Sequence, residues 1–170
     1  MNTALDIARI IHLDLTLVGV SAWQWWTAVS GVDFKDGLIY TDWKKAGDQE
    51  TIYPARLLWV LGNYSRFVRP GMHRVEMSVP DQGIDGLMGS AYKDDNTRQV
   101  IAIYVNMSTS GQSRQLGFGL GERRWTLQSI TPYITSDTPG YELKRMPAIG
   151  RGDPVQIPAR SVVTLVAQFA

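Results

Sequence analysis

Apolar side chains near the N terminus follow the spacing of a largely buried helix. Within residues 3–18 they recur at intervals of three and four, at Leu5, Ala8, Ile11 and Leu15. Asn2 or Thr3 can cap the start of this helix, and Gly19 can end it. The pattern therefore predicts a helix over residues 3–18.

The next two apolar runs predict a strand and a second helix. Residues 20–26 are a short continuous apolar run, typical of a strand that is covered on both faces of a parallel sheet. Residues 53–68 return to helical spacing. Pro54 suits the first turn of that helix, and Pro70 with Gly71 would end it.

After Gly71 the pattern changes to short strands separated by turn residues. The predicted strands cover residues 74–79, 87–92, 99–106, 112–120, 126–135, 141–144 and 161–169. Seven or so closely spaced strands indicate an antiparallel β-sandwich. The chain is thus predicted to be mainly β, with the end of an α/β unit over residues 1–71 and a β-sandwich domain over residues 72–170.

A single parallel strand needs hydrogen-bonding neighbours, and none is encoded before the sandwich begins. This predicts that a further segment precedes residue 1. The alternative is that residues 20–26 join the sandwich. An unpaired apolar strand also predicts self-association, or pairing with the missing segment.

Composition excludes several function classes. The chain has 17 Lys and Arg against 16 Asp and Glu, a net charge of +1, so nucleic acid is not an expected partner. It has no Cys, which removes thiolate chemistry. Its two histidines, His12 and His73, are far apart, so we expect no metal and no cofactor. We expect no membrane span and see no signal peptide.

Four consecutive residues provide the strongest candidate binding chemistry. In an extended segment Trp23 and Trp25 point to one side, whereas Gln24 and Trp26 point to the other. A tryptophan face attracts the polarised C–H groups of a sugar ring, and a neighbouring amide can bond its hydroxyls. The alternative is that the rings fill a core.

Acidic residues give no catalytic pair. A retaining glycosidase needs two carboxyl groups about 5–5.5 Å apart, one of them kept protonated. The glutamates all lie in polar or turn-like contexts that favour ionised side chains: Glu50, Glu76, Glu122 and Glu142. Three aspartates follow the predicted strand, where turn formation is their usual role: Asp33, Asp36 and Asp42.

Five segments together resemble the C-terminal portion of glycoside hydrolase family 30: residues 21–26, 36–40, 63–71, 90–94 and 160–164. The resemblance implies the last helix, strand and helix of an incomplete (β/α)8 barrel, followed by a side β-sandwich. It also implies that both catalytic glutamates precede residue 1. The residues that it carries over are Trp23, Gln24, Trp25 and Trp26, which would line the wall beside the bound sugar.

The resemblance implies a secreted or periplasmic parent enzyme, a retaining glycosidase acting on a β-linked polysaccharide. β-1,6-Galactan or β-glucan is the favoured substrate, and the chain alone is expected to be inactive. Two alternatives stay open: a non-catalytic carbohydrate-binding or scaffold module, and an interaction protein whose apolar surface pairs with another chain.

Overall fold

The structure, a computed structural model, describes residues 1–43, 48–119 and 125–170. The helices are α1 (Asn2–Leu13), which continues as a π-helical turn (Asp14–Val18), and α2 (Arg56–Ser65). The strands are β1 (Val29–Ser30), β2 (Ile39–Thr41), β3 (Ile52–Pro54), β4 (His73–Val75), β5 (Leu87–Asp94), β6 (Gln99–Asn106), β7 (Gln112–Arg114), β8 (Leu127–Ser136), β9 (Lys144–Arg145), β10 (Val155–Ile157) and β11 (Ser161–Phe169). Glu122 and the end of the predicted strand 112–120 lie outside the described residues.

The first helix forms where the apolar spacing predicts it. Ala4, Leu5, Ala8 and Ile11 are its buried apolar residues. After Leu13 the chain widens into the π-helical turn and stops at Gly19, whose φ of 75° lies in the left-handed region. Glycine adopts this conformation without the steric penalty of a side chain, so its role as the helix end is confirmed.

An antiparallel six-stranded sheet dominates the fold, in the order β4-β5-β6-β11-β8-β9. Strand β11 pairs with β6 from Ser161↔Asn106 to Gln168↔Gln99 and with β8 on its other side. Two smaller sheets accompany it, β1-β2-β3 and β10-β7. The expected mainly β, antiparallel fold class is confirmed.

Both faces of the large sheet are buried. On β6, Ile101, Ile103 and Val105 face a core that includes both helices, whereas Val100, Ala102 and Tyr104 face a second core. Strand β10 and several aromatic rings cover that second face. Because side chains alternate along a strand, a strand covered on both faces needs apolar residues at successive positions, as β6 has from Val100 to Val105.

A buried hydrogen-bond network ties α2 to the sheet. The Asn63 amide donates to Thr164 Oγ1 at 2.9 Å and to the Tyr133 carbonyl at 3.2 Å. Its oxygen accepts from Thr135 Oγ1 at 2.6 Å. Asn63 is fully buried, and these bonds satisfy the polar atoms of its side chain. The α2 helix is therefore locked to β8 and β11 at one place.

The predicted strand over residues 20–26 is wrong. Within the described chain this segment is irregular, and the parallel pairing instead joins β1 to β2, with Val29 opposite Ile39. A strand requires a hydrogen-bonding neighbour, and residues 20–26 have none among the described strands. Residues 20–26 do not join the sandwich either.

Several smaller elements also differ from the predictions. The strands predicted over residues 74–79 and 141–144 are the shorter β4 (His73–Val75) and β9 (Lys144–Arg145). The second helix starts at Arg56 because Pro54 lies in β3, opposite Ile39, and not in the first helical turn. The strand β10 was not predicted, since three residues are too short to show a periodic pattern. Among the described residues, no helix has the length and apolar character needed to cross a membrane.

Candidate carbohydrate-binding site

The tryptophan segment begins directly after the π-helical turn. The backbone N–H groups of Gly19 and Val20 both donate to the carbonyl of Asp14, at 2.9 and 3.1 Å. These bonds fix the direction in which the chain leaves the helix. Residues 21–26 then run across the helical side of the molecule, and Trp23 and Trp25 pack against the core shared by the helices and the sheet.

Trp23 and Trp25 lie on the same side of the segment and stack on each other. Their ring centroids are 5.9 Å apart, and their planes differ by 11°. Both side chains are half-buried. The exposure of side chains from Ala22 to Trp26 alternates as expected for an extended segment, although no strand forms there.

Hydrogen bonds hold both indole rings in place. Trp23 Nε1 donates to the carboxylate of Asp14 at 3.0 Å, and Trp25 Nε1 donates to the carbonyl of Asp36 at 2.6 Å. The Asp36 carbonyl also accepts the backbone N–H of Thr27 at 3.2 Å. With their N–H groups engaged inside the protein, these two rings can offer a ligand only carbon edges and faces.

The loop that anchors Trp25 depends on a glycine. A Cβ atom on Gly37 would lie 2.9 Å from the ring of Tyr40, whose hydroxyl accepts the Gly37 N–H at 2.9 Å. Gly37 therefore permits the tight packing that brings residues 36–40 against the tryptophan segment. Two of the sequence blocks that carry the family resemblance are thus neighbours in space.

Gln24 and Trp26 face outward. Trp26 is 83% exposed, the largest exposed fraction among the large apolar side chains of the described chain, and Gln24 is also exposed. The peptide bond between Trp26 and Thr27 is cis. The segment thus combines a hydrogen-bonded aromatic pair on one side with an exposed indole ring and an exposed amide on the other.

The acidic residues are used elsewhere. Glu50 accepts from Thr41 Oγ1 at 2.8 Å, Glu142 forms an ion pair with Arg56, and Glu76 lines the opposite face of the sheet. Asp33 pairs with Lys35 at 3.2 Å.

Asp36 and Asp42 behave differently from each other. One carboxylate oxygen of Asp36 is buried with no hydrogen-bond partner among the described atoms, whereas Asp42 accepts the Thr51 N–H at 3.1 Å. The Asp42 carboxylate thus connects the end of β2 to the start of β3, and Asp36 leaves a buried acceptor in the loop that holds the ring of Trp25.

Neither histidine belongs to a metal cluster. His12 is buried in α1, whereas His73 is exposed in β4. The described ranges contain no group of three or more His, Asp or Glu side chains that could hold a metal ion.

Known proteins share both the sequence pattern and the fold. Residues 1–40 match the sequence model of O-Glycosyl hydrolase family 30. A conserved exported protein from Bacteroides fragilis is 34% identical with a TM-score of 0.79, covering 97% of this chain and 33% of that protein.

Two solved xylanases have the same fold at lower identity. A GH30 endoxylanase from Clostridium papyrosolvens C71 is 24% identical, with a TM-score of 0.73 over 98% of this chain and 38% of that enzyme. A family 30 subfamily 8 xylanase from Clostridium acetobutylicum is 22% identical, with a TM-score of 0.72, again over 98% of this chain and 38% of that enzyme. The chain therefore spans between 33% and 38% of the length of these structures.

The resemblance to glycoside hydrolase family 30 expected from the sequence blocks is confirmed: residues 1–40 match the sequence model of the family. Nearly the whole chain shares its fold with a portion of two family 30 xylanases.

Proposed function

We propose that this chain supplies part of the sugar-binding wall of a retaining glycoside hydrolase that cleaves a β-linked polysaccharide. The observation that carries the proposal is the exposed ring of Trp26 beside the exposed Gln24, on the side of the segment opposite the stacked Trp23 and Trp25. A pyranose ring would lie with its C–H face on Trp26, and the Gln24 amide would bond its hydroxyls. β-1,6-Galactan or β-glucan remains the favoured substrate.

The immobilised pair makes this platform effective. Ordering a flexible side chain on binding costs about 0.5–1.5 kcal/mol. Because Asp14 and the Asp36 carbonyl already hold Trp23 and Trp25, the segment that carries Gln24 and Trp26 is fixed to the protein before a ligand binds.

Affinity electrophoresis in gels containing β-1,6-galactan, β-glucan or xylan tests the proposal. We expect at least one polysaccharide to retard the chain, and Trp26→Ala to weaken the retardation. Trp43→Ala is the matched control, because Trp43 is 64% exposed but lies outside the four-residue cluster. Equal retardation of wild type and Trp26→Ala would contradict the proposal. Xylan is included because two structural relatives are described as xylanases.

We also propose that the chain alone does not hydrolyse polysaccharide. Its described glutamates are engaged with Thr41, with Arg56 or on the far face of the sheet, whereas a retaining mechanism needs two close carboxyl groups. Reducing-end assays on the three polysaccharides should give no turnover. Measured turnover by the purified chain would contradict this. Export of the whole protein is expected, in keeping with the relative described as exported.

The second candidate function is a non-catalytic carbohydrate-binding module. Its support is the single core that α1 and α2 share with β5, β6 and β11, which would allow the chain to fold as one unit. A folded monomer that binds glycan without any added partner would favour the module.

Exposed apolar side chains favour a protein partner as a third function. They lie mostly on the first half of the chain: Leu17, Val18, Val29, Val32, Phe34 and Trp43. Large exposed apolar patches mark interaction surfaces. Concentration-dependent self-association in size-exclusion chromatography would support this function, and a clean monomer with residues 20–26 protected from hydrogen exchange would oppose it.

A further inference from the structure

We propose a second sugar-binding site, in a cavity on the sheet face opposite the helices, that takes a short neutral segment of an oligosaccharide. The cavity has a volume of about 390 Å³. This lies within the range of about 300–1,000 Å³ found for small-molecule sites. It is separate from the tryptophan cluster and goes beyond the proposed function.

Small residues on three neighbouring strands make the floor of this cavity. Val75 of β4 pairs with Ala91 of β5, and Ala91 pairs with Ala102 of β6. Residues directly opposite in an antiparallel pair point to the same face of the sheet. The two alanines lack the atoms that would fill the space above them, so the row leaves a depression in an otherwise packed face.

Two aromatic rings form the wall. Phe118 and Trp125 both line the cavity. Phe118 meets Phe169 edge to face, with centroids 5.2 Å apart and planes at 86°, and Trp125 lies 5.8 Å from the same ring. Phe169 is buried at the end of β11, so it supports both rings from the core. Fixed aromatic rings above an apolar floor suit the C–H surfaces of a sugar.

Polar side chains stand at the rim. Glu76, Ser78 and Gln115 are exposed and line the opening, where they can exchange hydrogen bonds with hydroxyl groups. The Lys93 ammonium lies 5.6 Å from the centre of the Trp125 ring and 3.0 Å from Asp95. Because Asp95 pairs with Lys93, the Glu76 carboxylate leaves the mouth slightly negative, which disfavours phosphate and other anionic ligands.

The two sites lie on different faces of the large sheet. Trp23 and Trp25 pack against the core on the helical face, whereas Ala102 and Trp125 belong to the core on the other face. A ligand in the cavity therefore does not touch the tryptophan cluster. A protein with both sites could hold a polysaccharide at two places.

Indole N–H signals in two-dimensional ¹⁵N NMR of the full chain test this site. The probes are β-1,6-galactotetraose, gentiotetraose and xylotetraose, and each signal is assigned from a single Trp→Phe variant. We expect at least one probe to shift the Trp125 signal in a saturable manner. A shift confined to Trp23, Trp25 or Trp26 would support the proposed function and overturn the second site.

Two variants make the result specific to the cavity. Ala91→Leu fills the floor, and Trp125→Ala removes one wall; each should weaken binding at this site by about tenfold or more, the factor that corresponds to about 1.4 kcal/mol. Because Trp125→Ala removes the reporting indole N–H signal, its affinity for the oligosaccharide is measured by calorimetry. An unshifted Trp25 signal shows that either variant is folded, and Trp43→Ala is the matched control. Unchanged affinity in both folded variants, or no response of Trp125 to any probe, would overturn the proposal.

Discussion

Replacing Asn63 by alanine would remove the link between α2 and the sheet. Its side chain makes hydrogen bonds to Tyr133, Thr135 and Thr164, at 3.2, 2.6 and 2.9 Å. Asn63 has no exposed surface, so water cannot replace these partners. Asn63→Ala therefore removes one hydrogen bond from each of three buried groups, although Thr164 Oγ1 still donates to the carbonyl of residue 63 and Thr135 Oγ1 still accepts the Leu143 N–H. Loss of buried hydrogen bonds is among the more costly outcomes of a single substitution.

The size of the effect follows from these three bonds. Each contributes about 0.5–1.5 kcal/mol net, so the expected loss in the free energy of unfolding is about 3 kcal/mol. For a domain of this length, each kcal/mol lowers Tm by about 2–4 °C, giving an expected fall of about 6–12 °C. A domain with a total stability of about 5–15 kcal/mol would survive this loss but with a visibly lower midpoint.

Urea unfolding followed by far-ultraviolet circular dichroism gives the free energy directly. Asn96→Ala is the matched control, because Asn96 lies exposed in a turn and only its backbone N–H is bonded, to Asp94. The control should change stability by less than about 0.5 kcal/mol. The double variant with Thr135→Val should show coupling of about 1 kcal/mol. A loss under about 1 kcal/mol for Asn63→Ala, with no coupling, would refute the reasoning.

Two further predictions concern α1 and the turn that ends it. Burial lowers the pKa of His12, so the neutral form is favoured in the folded state and stability should fall as the pH drops below the unfolded value of about 6.5. His12→Leu should reduce that pH dependence of the unfolding free energy, whereas the control His73→Gln should leave it unchanged. An unchanged pH dependence in both variants would contradict the attribution to His12. Gly19→Ala should lower stability by about 1–2 kcal/mol, because φ is 75° there. Gly117→Ala is the control, because a Cβ at Gly117 would have no neighbour within 4 Å, and it should change stability little. If chemical denaturation gave the same loss of unfolding free energy for both variants, the left-handed φ of Gly19 would not be the cause.

The long central strands could be predicted because their pattern is local. Residues 99–106 and 161–169 were expected as strands and form β6 and β11 with the same bounds. Each is a long apolar run bounded by turn residues, and burial on both faces preserves that run. The short strand β10 gives no such signal, since its three residues depend on pairing with β7.

Residues 20–26 show where a local pattern is ambiguous. A continuous apolar run can be a strand buried on both faces, or an irregular segment that buries large rings. Only hydrogen bonds to another strand distinguish the two, and those depend on residues distant in the chain. The helix start shifted for a similar reason, because Pro54 suits either a first helical turn or an edge strand.

The candidate site was only partly predictable. That Trp23 and Trp25 share one side, opposite Gln24 and Trp26, follows from the alternation of side chains in an extended chain. The carbonyl of Asp36 that holds Trp25 is 11 residues away in the chain, and no residue type predicts a bond to a backbone atom. The cavity beside Trp125 could not be predicted from the sequence, because its floor forms only when β4, β5 and β6 pair in the correct register.

Residue order alone was enough for the antiparallel β architecture, the buried first helix and the choice of four candidate sugar-binding residues. These depend on periodicity and on side-chain chemistry, which act over a few neighbouring residues. Packing of the whole chain decided which rings stay open and which are held: Trp26 outward, and Trp23 and Trp25 stacked and bonded. Solvent exposure and long-range hydrogen bonds are set by distant segments meeting, so they arise only in the folded molecule.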